Sequence, residues 1–191
     1  MLDKNLIEEE VYGLEIKNVK DIKIENVSFK ECTFNNINFE RVIIDKVDFT
    51  KCTFKDCDLS NKSFDEGYFS KVKFLNCKMT GTSFTDSFIE NTDFIDCLMI
   101  YTNFSGAKLK QVNYKTCDLS ESSFIESKFN KVSFEESKLI KSEFTNTSLK
   151  NIDFSTCNID GIRIDLYSVK GLTIDSMQAY NLIYMLGVNI K

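Results

Sequence analysis

Large apolar residues recur at every fifth position of this chain, with polar residues between them. The series begins Leu14, Val19, Ile24, Phe29, Phe34, Phe39, Ile44, Phe49, Phe54, Leu59 and Phe64, and it runs without a polar interruption to Ile174. Two positions before each of these centres lies a smaller column, which includes Val27, Cys32, Ile37, Val42, Val47, Cys52, Cys57, Val72, Cys77, Thr82 and Ser87. The other three positions of each pentad are mostly Ser, Thr, Asn, Asp, Glu and Lys. A period of five matches neither the 3.6 of a helix nor the 2 of a strand. Two inward residues two apart, then a corner, then two more describe a solenoid with very short extended sides. Each pentad buries one large and one small side chain, so only stacked coils can build a core and a hydrogen-bond ladder.

Composition narrows the function classes. The 191 residues are one domain's worth. No stretch approaches the ~18 apolar residues of a membrane helix. Met1-Leu2-Asp3-Lys4-Asn5 lacks the basic and then apolar run of a signal peptide. A cytoplasmic chain without membrane contact is therefore expected. There is no His, which removes the commonest general acid/base and the commonest neutral metal ligand. No P-loop, dinucleotide fingerprint or nucleophile elbow occurs either, so no enzyme, cofactor or metal is expected. The net charge is −5, and only Arg41 and Arg163 are arginines, which argues against direct contact with nucleic acid. There is no Pro, because a proline would delete a ladder donor.

Tandem pentads such as Cys52-Thr53-Phe54-Lys55-Asp56 and Cys57-Asp58-Leu59-Ser60-Asn61 resemble the pentapeptide-repeat family across roughly residues 14–174. The resemblance implies an all-β fold, a right-handed quadrilateral parallel β-helix with four pentads per coil, hence about eight coils. Residues 1–13, with Leu2, Leu6, Ile7, Val11 and Tyr12, are expected to form an N-terminal cap, and 175–191 a C-terminal helix, cap and dimerisation segment.

Folded at that period, Cys57, Cys77, Cys97, Cys117 and Cys157 share one column. Parallel side chains on rungs ~4.7–4.9 Å apart do not offer the ~3.8 Å Cβ approach of a disulfide. The thiols are expected as small buried hydrophobes, and free thiols fit a reducing compartment. Lys62 and Gly67 interrupt the inner column, which predicts a local bulge with Gly67 supplying unusual backbone angles. Just beyond, Tyr68, Phe88 and Tyr101 begin an outward apolar belt that would serve an alternative role, a structural rod or scaffold for an unrelated protein partner.

Charge is segregated by face. The face centred on Ile24, Ile44 and Phe64 carries eight acids, Glu25, Asp45, Asp65, Glu66, Asp86, Glu126, Glu143 and Asp165, against three outward bases. The face centred on Phe34 and Phe54 carries seven acids, Asp56 and Asp96 among them, against three bases. The face centred on Phe29 and Phe49 carries nine lysines against Glu31, Asp48 and Glu90.

The pentad rhythm fails after Ile174. Asp175 or Ser176 can cap a helix from Met177 to Leu186, with Gly187 placed as a C′ glycine. Tyr180, Leu182, Ile183, Tyr184, Met185 and Leu186 surround more than one helix face, which predicts a homodimer through this helix. The segment Gly171-Leu172-Thr173-Ile174-Asp175-Ser176-Met177-Gln178-Ala179-Tyr180, ending Leu186-Gly187-Val188, resembles the C-termini of Qnr-type quinolone-resistance proteins. That resemblance implies a DNA-mimicking dimer that binds type II topoisomerase (DNA gyrase or topoisomerase IV). Here the pentads run unbroken by the protruding loops of the Gram-negative members. Glu25, Asp45, Asp65, Glu66, Asp86, Glu126, Asp56 and Asp96 are the expected phosphate-like charges.

Overall fold

A sequence that buries two side chains per pentad must stack, and the computed structural model, which describes residues 5–19 and 21–185, is a stack. Thirteen short strands occur among the described residues: Leu6–Ile7 (β1), Glu10–Tyr12 (β2), Glu15–Ile16 (β3), Lys23–Lys30 (β4), Thr33–Asn35 (β5), Ile43–Thr50 (β6) and Thr53–Lys55 (β7), followed by Tyr68–Ser70 (β8), Lys73–Leu75 (β9), Phe88–Ile95 (β10), Lys108–Lys115 (β11), Lys128–Asn130 (β12) and Ser133–Glu135 (β13). One helix, Ser176–Met185 (α1), follows them. Pairing is parallel, and from β4 onward partners lie four pentads apart, as in Ile24↔Ile44, Phe34↔Phe54 and Ile89↔Leu109. Two sides carry strands; the other two are held by single bridges such as Asn38↔Asp58 and Ser63↔Ser83. The solenoid is the four-sided parallel β-helix expected. The bridge column from Asn38 to Asn158 advances six times by one coil, so the paired ladder makes about six turns where about eight were expected.

The shortfall lies where the register shifts. The first strands pair at a spacing two positions short of four pentads: Leu6↔Ile24, Val11↔Phe29 and Ile16↔Phe34. Leu6, Val11 and Ile16 are therefore buried, and Leu14, taken above as the first centre, is 45% exposed. Residues 6–16 add a shortened rung to the ladder. Near the other end the inner slot slips by one. Ser168 is buried and Tyr167 is 59% exposed, because Val169 N–H closes a tight turn onto Asp165 O.

The core is built from ring stacks. Phe34, Phe54, Phe74, Phe94, Tyr114 and Phe134 follow one another with centroids 4.5–4.9 Å apart, which is the rung spacing itself. The inner slot favours small donors for a second reason. Its side chains reach carbonyls one coil back: Cys57 Sγ to Phe34 O, Cys97 Sγ to Phe74 O, Ser127 Oγ to Phe104 O and Ser142 Oγ to Leu119 O. The cysteines thus act as weak hydrogen-bond donors as well as hydrophobes, and all seven are buried and unbridged.

Most corners turn on a left-handed residue two positions after a centre. The series includes Asn26, Glu31, Asn36, Lys46, Lys51, Asp56, Asn61 and Glu66, with φ between 49° and 59°, and glycine takes the slot at Gly81, Gly106, Gly161 and Gly171. Each non-glycine there costs ~1 kcal/mol or more, a strain that the ladder and the ring stacks hold in place. A proline, whose ring fixes φ at about −65°, could not occupy that slot. The corners therefore add a second cause for the missing proline.

The ladder parts in two places. Between 42–48 and 62–68, the bond that Ser63 N–H would make to Val42 O is replaced by Lys62 Nζ, which donates to Val42 O and Glu40 O at 2.9 Å each. Tyr68 N–H likewise turns to Asp48 Oδ1 at 2.9 Å. Lys62 is thus a half-buried donor that satisfies the parted edge, and burial pushes its pKa below the ordinary lysine value. Gly67 does not have the left-handed backbone expected of it; Glu66 does, at 59°. Gly67 is needed for space, since a Cβ there would lie 2.9 Å from Phe64 O and 3.1 Å from the Phe69 ring. The second parting separates 128–136 from 148–156, which share no backbone-to-backbone bond. There the ring column breaks as well: Phe134 and Phe154 meet at 77° instead of stacking.

Candidate functional site

The outer slots contribute little to the core, so any function lies in what they present. The eight acids named from the sequence fall into three columns on two faces. Glu25 and Asp45 are direct neighbours on adjacent rungs, and Glu25 is also 2.5 Å from Lys23. Asp65 continues that column across the first parting, where it accepts from Ser63 Oγ, Ser83 Oγ and Thr85 N–H. Beyond it Thr85 and Ser105 end the acidic run.

Glu66, Asp86 and Glu126 occupy left-handed corners of one edge, with Gly106 between the last two. The Asp86 carboxylate leans over Gly106 so closely that a Cβ there would collide with it. Asp56 and Asp96 belong to the diagonally opposite edge, two pentads away, where Asn76 lies between them and donates to Asp56 at 2.7 Å. Asp45, Glu66, Asp86, Asp96 and Glu126 are exposed and make no ion pair with any described residue. Their carboxylates face solvent with no described cation set against them.

The apolar belt is not one surface. Tyr68 and Phe88 stack on adjacent rungs with centroids 5.7 Å apart, and Tyr68 Oη donates to Glu90. Tyr101 stands on a different edge, 57% exposed, with its hydroxyl on Glu121. The geometry separates it from the other two.

At the C-terminal end, Asp175 caps α1. Its Oδ1 accepts from Met177 N–H and Gln178 N–H at 2.7 and 2.9 Å, and Gln178 Oε1 returns the bond to Asp175 N–H at 2.9 Å. Gln178 Nε2 also donates to Phe154 O and Cys157 O at 2.9 and 2.7 Å, which ties the helix to the last regular coil. Leu182 is 6% exposed and packs into the rod's own core, so it is not a dimer-contact residue as expected. Tyr180 and Ile183 face outward with Met177, at 57%, 38% and 77% exposure. Leu186 and the side chains of Tyr184 and Met185 lie outside the described residues.

Matches to known families agree with this geometry. A pentapeptide repeat region matches residues 47–119 and 104–174, and pentapeptide repeats (9 copies) match residues 22–61. The chain belongs to the pentapeptide-repeat family. Among curated proteins none matches this pentapeptide-repeat protein in sequence. Among solved structures it is similar to a trypsin-treated form of QnrB1, a plasmid-mediated fluoroquinolone resistance protein, at 19% identity and a TM-score of 0.34, covering 99% of this chain and 100% of that one. It is also similar to HetL, a pentapeptide repeat protein involved in heterocyst differentiation regulation in the cyanobacterium Nostoc sp. strain PCC 7120, at 11% identity and a TM-score of 0.36, covering 88% and 86%. A third is a pentapeptide repeat protein of the Arabidopsis thaliana thylakoid lumen, at 23% identity and a TM-score of 0.31, covering 49% and 69%.

No helix among the described residues is long and apolar enough to cross a membrane, and no group of three His, Cys, Asp or Glu among them could hold a metal. Burial pushes the Cys52 thiol up to about 12, and hydrogen bonding to Cys117 together with burial does the same for Cys97. Both are poor nucleophiles. Sequence reasoning missed Met177 and Leu166 as exposed apolar residues, and it missed Tyr167 because the one-residue slip at Ser168 turns that side chain outward.

Proposed function

We propose that this pentapeptide-repeat protein is a non-catalytic protein-binding rod that offers phosphate-like charge to type II topoisomerase, DNA gyrase or topoisomerase IV, in the place where that enzyme holds DNA. The observation that carries the reading is the unpaired acidic edge: Glu66, Asp86 and Glu126 project from rigid corners, beside the abutting pair Glu25 and Asp45. Duplex DNA presents one charge per ~1.7 Å of its axis. A rod with rungs ~4.8 Å apart approaches that density only if several columns carry acids on one side. Here the column of Glu25 and Asp45 and the adjoining edge of Glu66, Asp86 and Glu126 do so, while Asp56 and Asp96 lie across the rod. Charge fixed on a rigid scaffold binds a positive saddle without the ordering cost of a flexible acidic tail.

The proposal includes a homodimer through α1, whose outward Met177, Tyr180 and Ile183 form an apolar stripe at helical spacing. A cytoplasmic location accompanies it, since the topoisomerase is there. The scaffold reading gains nothing from the geometry, because Tyr101 stands apart from Tyr68 and Phe88.

A supercoiling assay with added protein, with and without a fluoroquinolone, tests the reading. Inhibition at micromolar protein is expected, weakened by Asp45→Lys, Glu66→Lys and Asp86→Lys together and unaffected by Tyr68→Ala. Full supercoiling at that concentration, with no change in drug response, overturns it.

A further inference from the structure

The acidic faces leave the opposite charge unexplained. On the face centred on Phe29, acids stop at Glu90, and from there to Gly171 its charged residues are Lys108, Lys110, Lys128, Lys131, Lys150 and Lys170. Elsewhere the rod pairs its lysines with acids one coil away, as in Lys51 with Glu31 and Lys138 with Asp118. Here Lys108 and Lys128 stand directly opposite each other on adjacent rungs of β11 and β12. Like charges so placed are destabilising. Of these six, Lys110 reaches an acid, Glu90, and the other five make no ion pair with a described residue.

The second parting of the ladder lies in the middle of this face. On regular rungs a centre N–H donates forward to the next coil, as Leu119 N–H does to Lys138 O. By that alternation Phe129 N–H faces Ser148 O, Lys131 N–H faces Lys150 O, Lys150 N–H faces Phe129 O and Ser148 N–H faces Ser127 O, yet none of these bonds forms. Phe129 is accordingly half-buried where Phe124 and Leu149 are fully buried. Two hollows of about 440 and 460 Å³ open along the gap, bordered by Lys128, Lys131 and Lys150, with Glu126 at one corner.

We infer that this parted, basic segment is a docking track for an acidic polypeptide segment in extended conformation. The choice follows from the unpaired groups. Both donors and acceptors of the backbone lack backbone partners along the gap, and another backbone satisfies both, whereas phosphates supply acceptors alone and would leave the carbonyls of Phe129, Ser148 and Lys150 bare. The five unpaired lysines then select acidic side chains. This surface meets the acidic edge only at Glu126, and the lysine reversals that test it leave Asp45, Glu66 and Asp86 in place, so either proposal can fail without the other.

The test uses the full chain and a fluorescein-labelled peptide of about eight residues alternating glutamate and valine, long enough to span the gap. Fluorescence anisotropy should show saturable binding that falls about tenfold or more in the Lys128→Glu, Lys131→Glu double variant, equivalent to about 1.4 kcal/mol. The smaller change Lys128→Gln should give a smaller loss, and Lys55→Glu with Lys73→Glu, on the neighbouring face, should give none. Native-state amide exchange should slow at Phe129, Lys131, Ser148 and Lys150 when the peptide is bound. Binding that ignores the lysine reversals, or that leaves those amides unprotected, overturns the inference. So does tighter binding of a labelled oligothymidylate of similar length.

Discussion

Replacing Tyr114 by phenylalanine should stabilise the protein. Tyr114 is fully buried in the ring column, stacked 4.9 Å from Phe94 and 4.8 Å from Phe134, with Phe104 and Phe124 edge-on at 5.8 and 6.1 Å. Its hydroxyl has no hydrogen-bond partner, and burial raises its pKa well above that of an ordinary tyrosine. A buried unpaired hydroxyl costs ~1–3 kcal/mol. Removing the oxygen leaves a void of ~10 Å³, worth ~0.2 kcal/mol at ~24 cal/mol per Å³. The other five members of the column are phenylalanines in the same stacking geometry, so the ring itself needs no adjustment. The expected net gain is ~1–2 kcal/mol, or ~2–8 °C in Tm for a chain of this size. Guanidinium unfolding followed by circular dichroism at matched protein concentration reads it as a higher midpoint at unchanged slope. A loss of more than ~0.5 kcal/mol would mean that the hydroxyl is satisfied in solution and that the reasoning is wrong.

Two further outcomes follow from named contacts. Gln178→Ala removes the acceptor for Asp175 N–H and the donor to Phe154 O and Cys157 O, so amide exchange across α1 should accelerate about tenfold or more while the coils from β4 to β11 keep their protection; an unchanged helix would refute the docking role. Lys62 carries a pKa held below 10.5 mainly by burial, so the folded state releases that proton first and stability should rise as pH climbs towards 10.5. Cys52, Cys77 and Cys97, with thiols raised from 9.0 to about 12, lose stability over the same range, since the unfolded thiols ionise first. The readout is therefore the difference from Lys62→Met, which should lack the rise; parallel pH curves for the two proteins would remove the desolvation argument.

Inward positions were legible because the same two demands, one large ring and one small residue, repeat on every side of the coil. Leu14 was misread for the same reason: it falls on the five-residue grid, but the first rung is two residues short, and only the stagger between Leu6 and Ile24 shows this. The left-handed corners were present in the sequence as Asn, Asp, Gly, Glu and Lys at one fixed slot, and that slot was read only as surface. Gly67 illustrates the limit of reading glycine by type, since crowding at Phe64 and Phe69 explains it and backbone freedom does not. The partings were hinted at by Lys62 but not at all by Phe129. Whether two rungs hydrogen-bond depends on their relative tilt, which no single pentad encodes.

What the surface positions encode is constrained by the stack in a way that separates scaffold from function. Residues four pentads apart on the regular rungs are neighbours at ~4.8 Å, so an uncommitted surface reaches low energy by alternating charge along each column. Seven ion pairs among the described residues do so, including Arg41 with Asp21, Lys78 with Asp58 and Arg163 with Glu143. Each has an exposed cation and an exposed or half-buried acid and is worth ~0.2–1 kcal/mol, small singly but repeated along the rod. Columns that break the alternation forgo that gain and add repulsion: Glu25 beside Asp45, Glu66 beside Asp86, and Lys108 beside Lys128. Folding gives no reason for them, because either member of each pair could change sign without touching the core. A partner of opposite charge does, and the two signs call for two different partners on adjoining surfaces of the same rod.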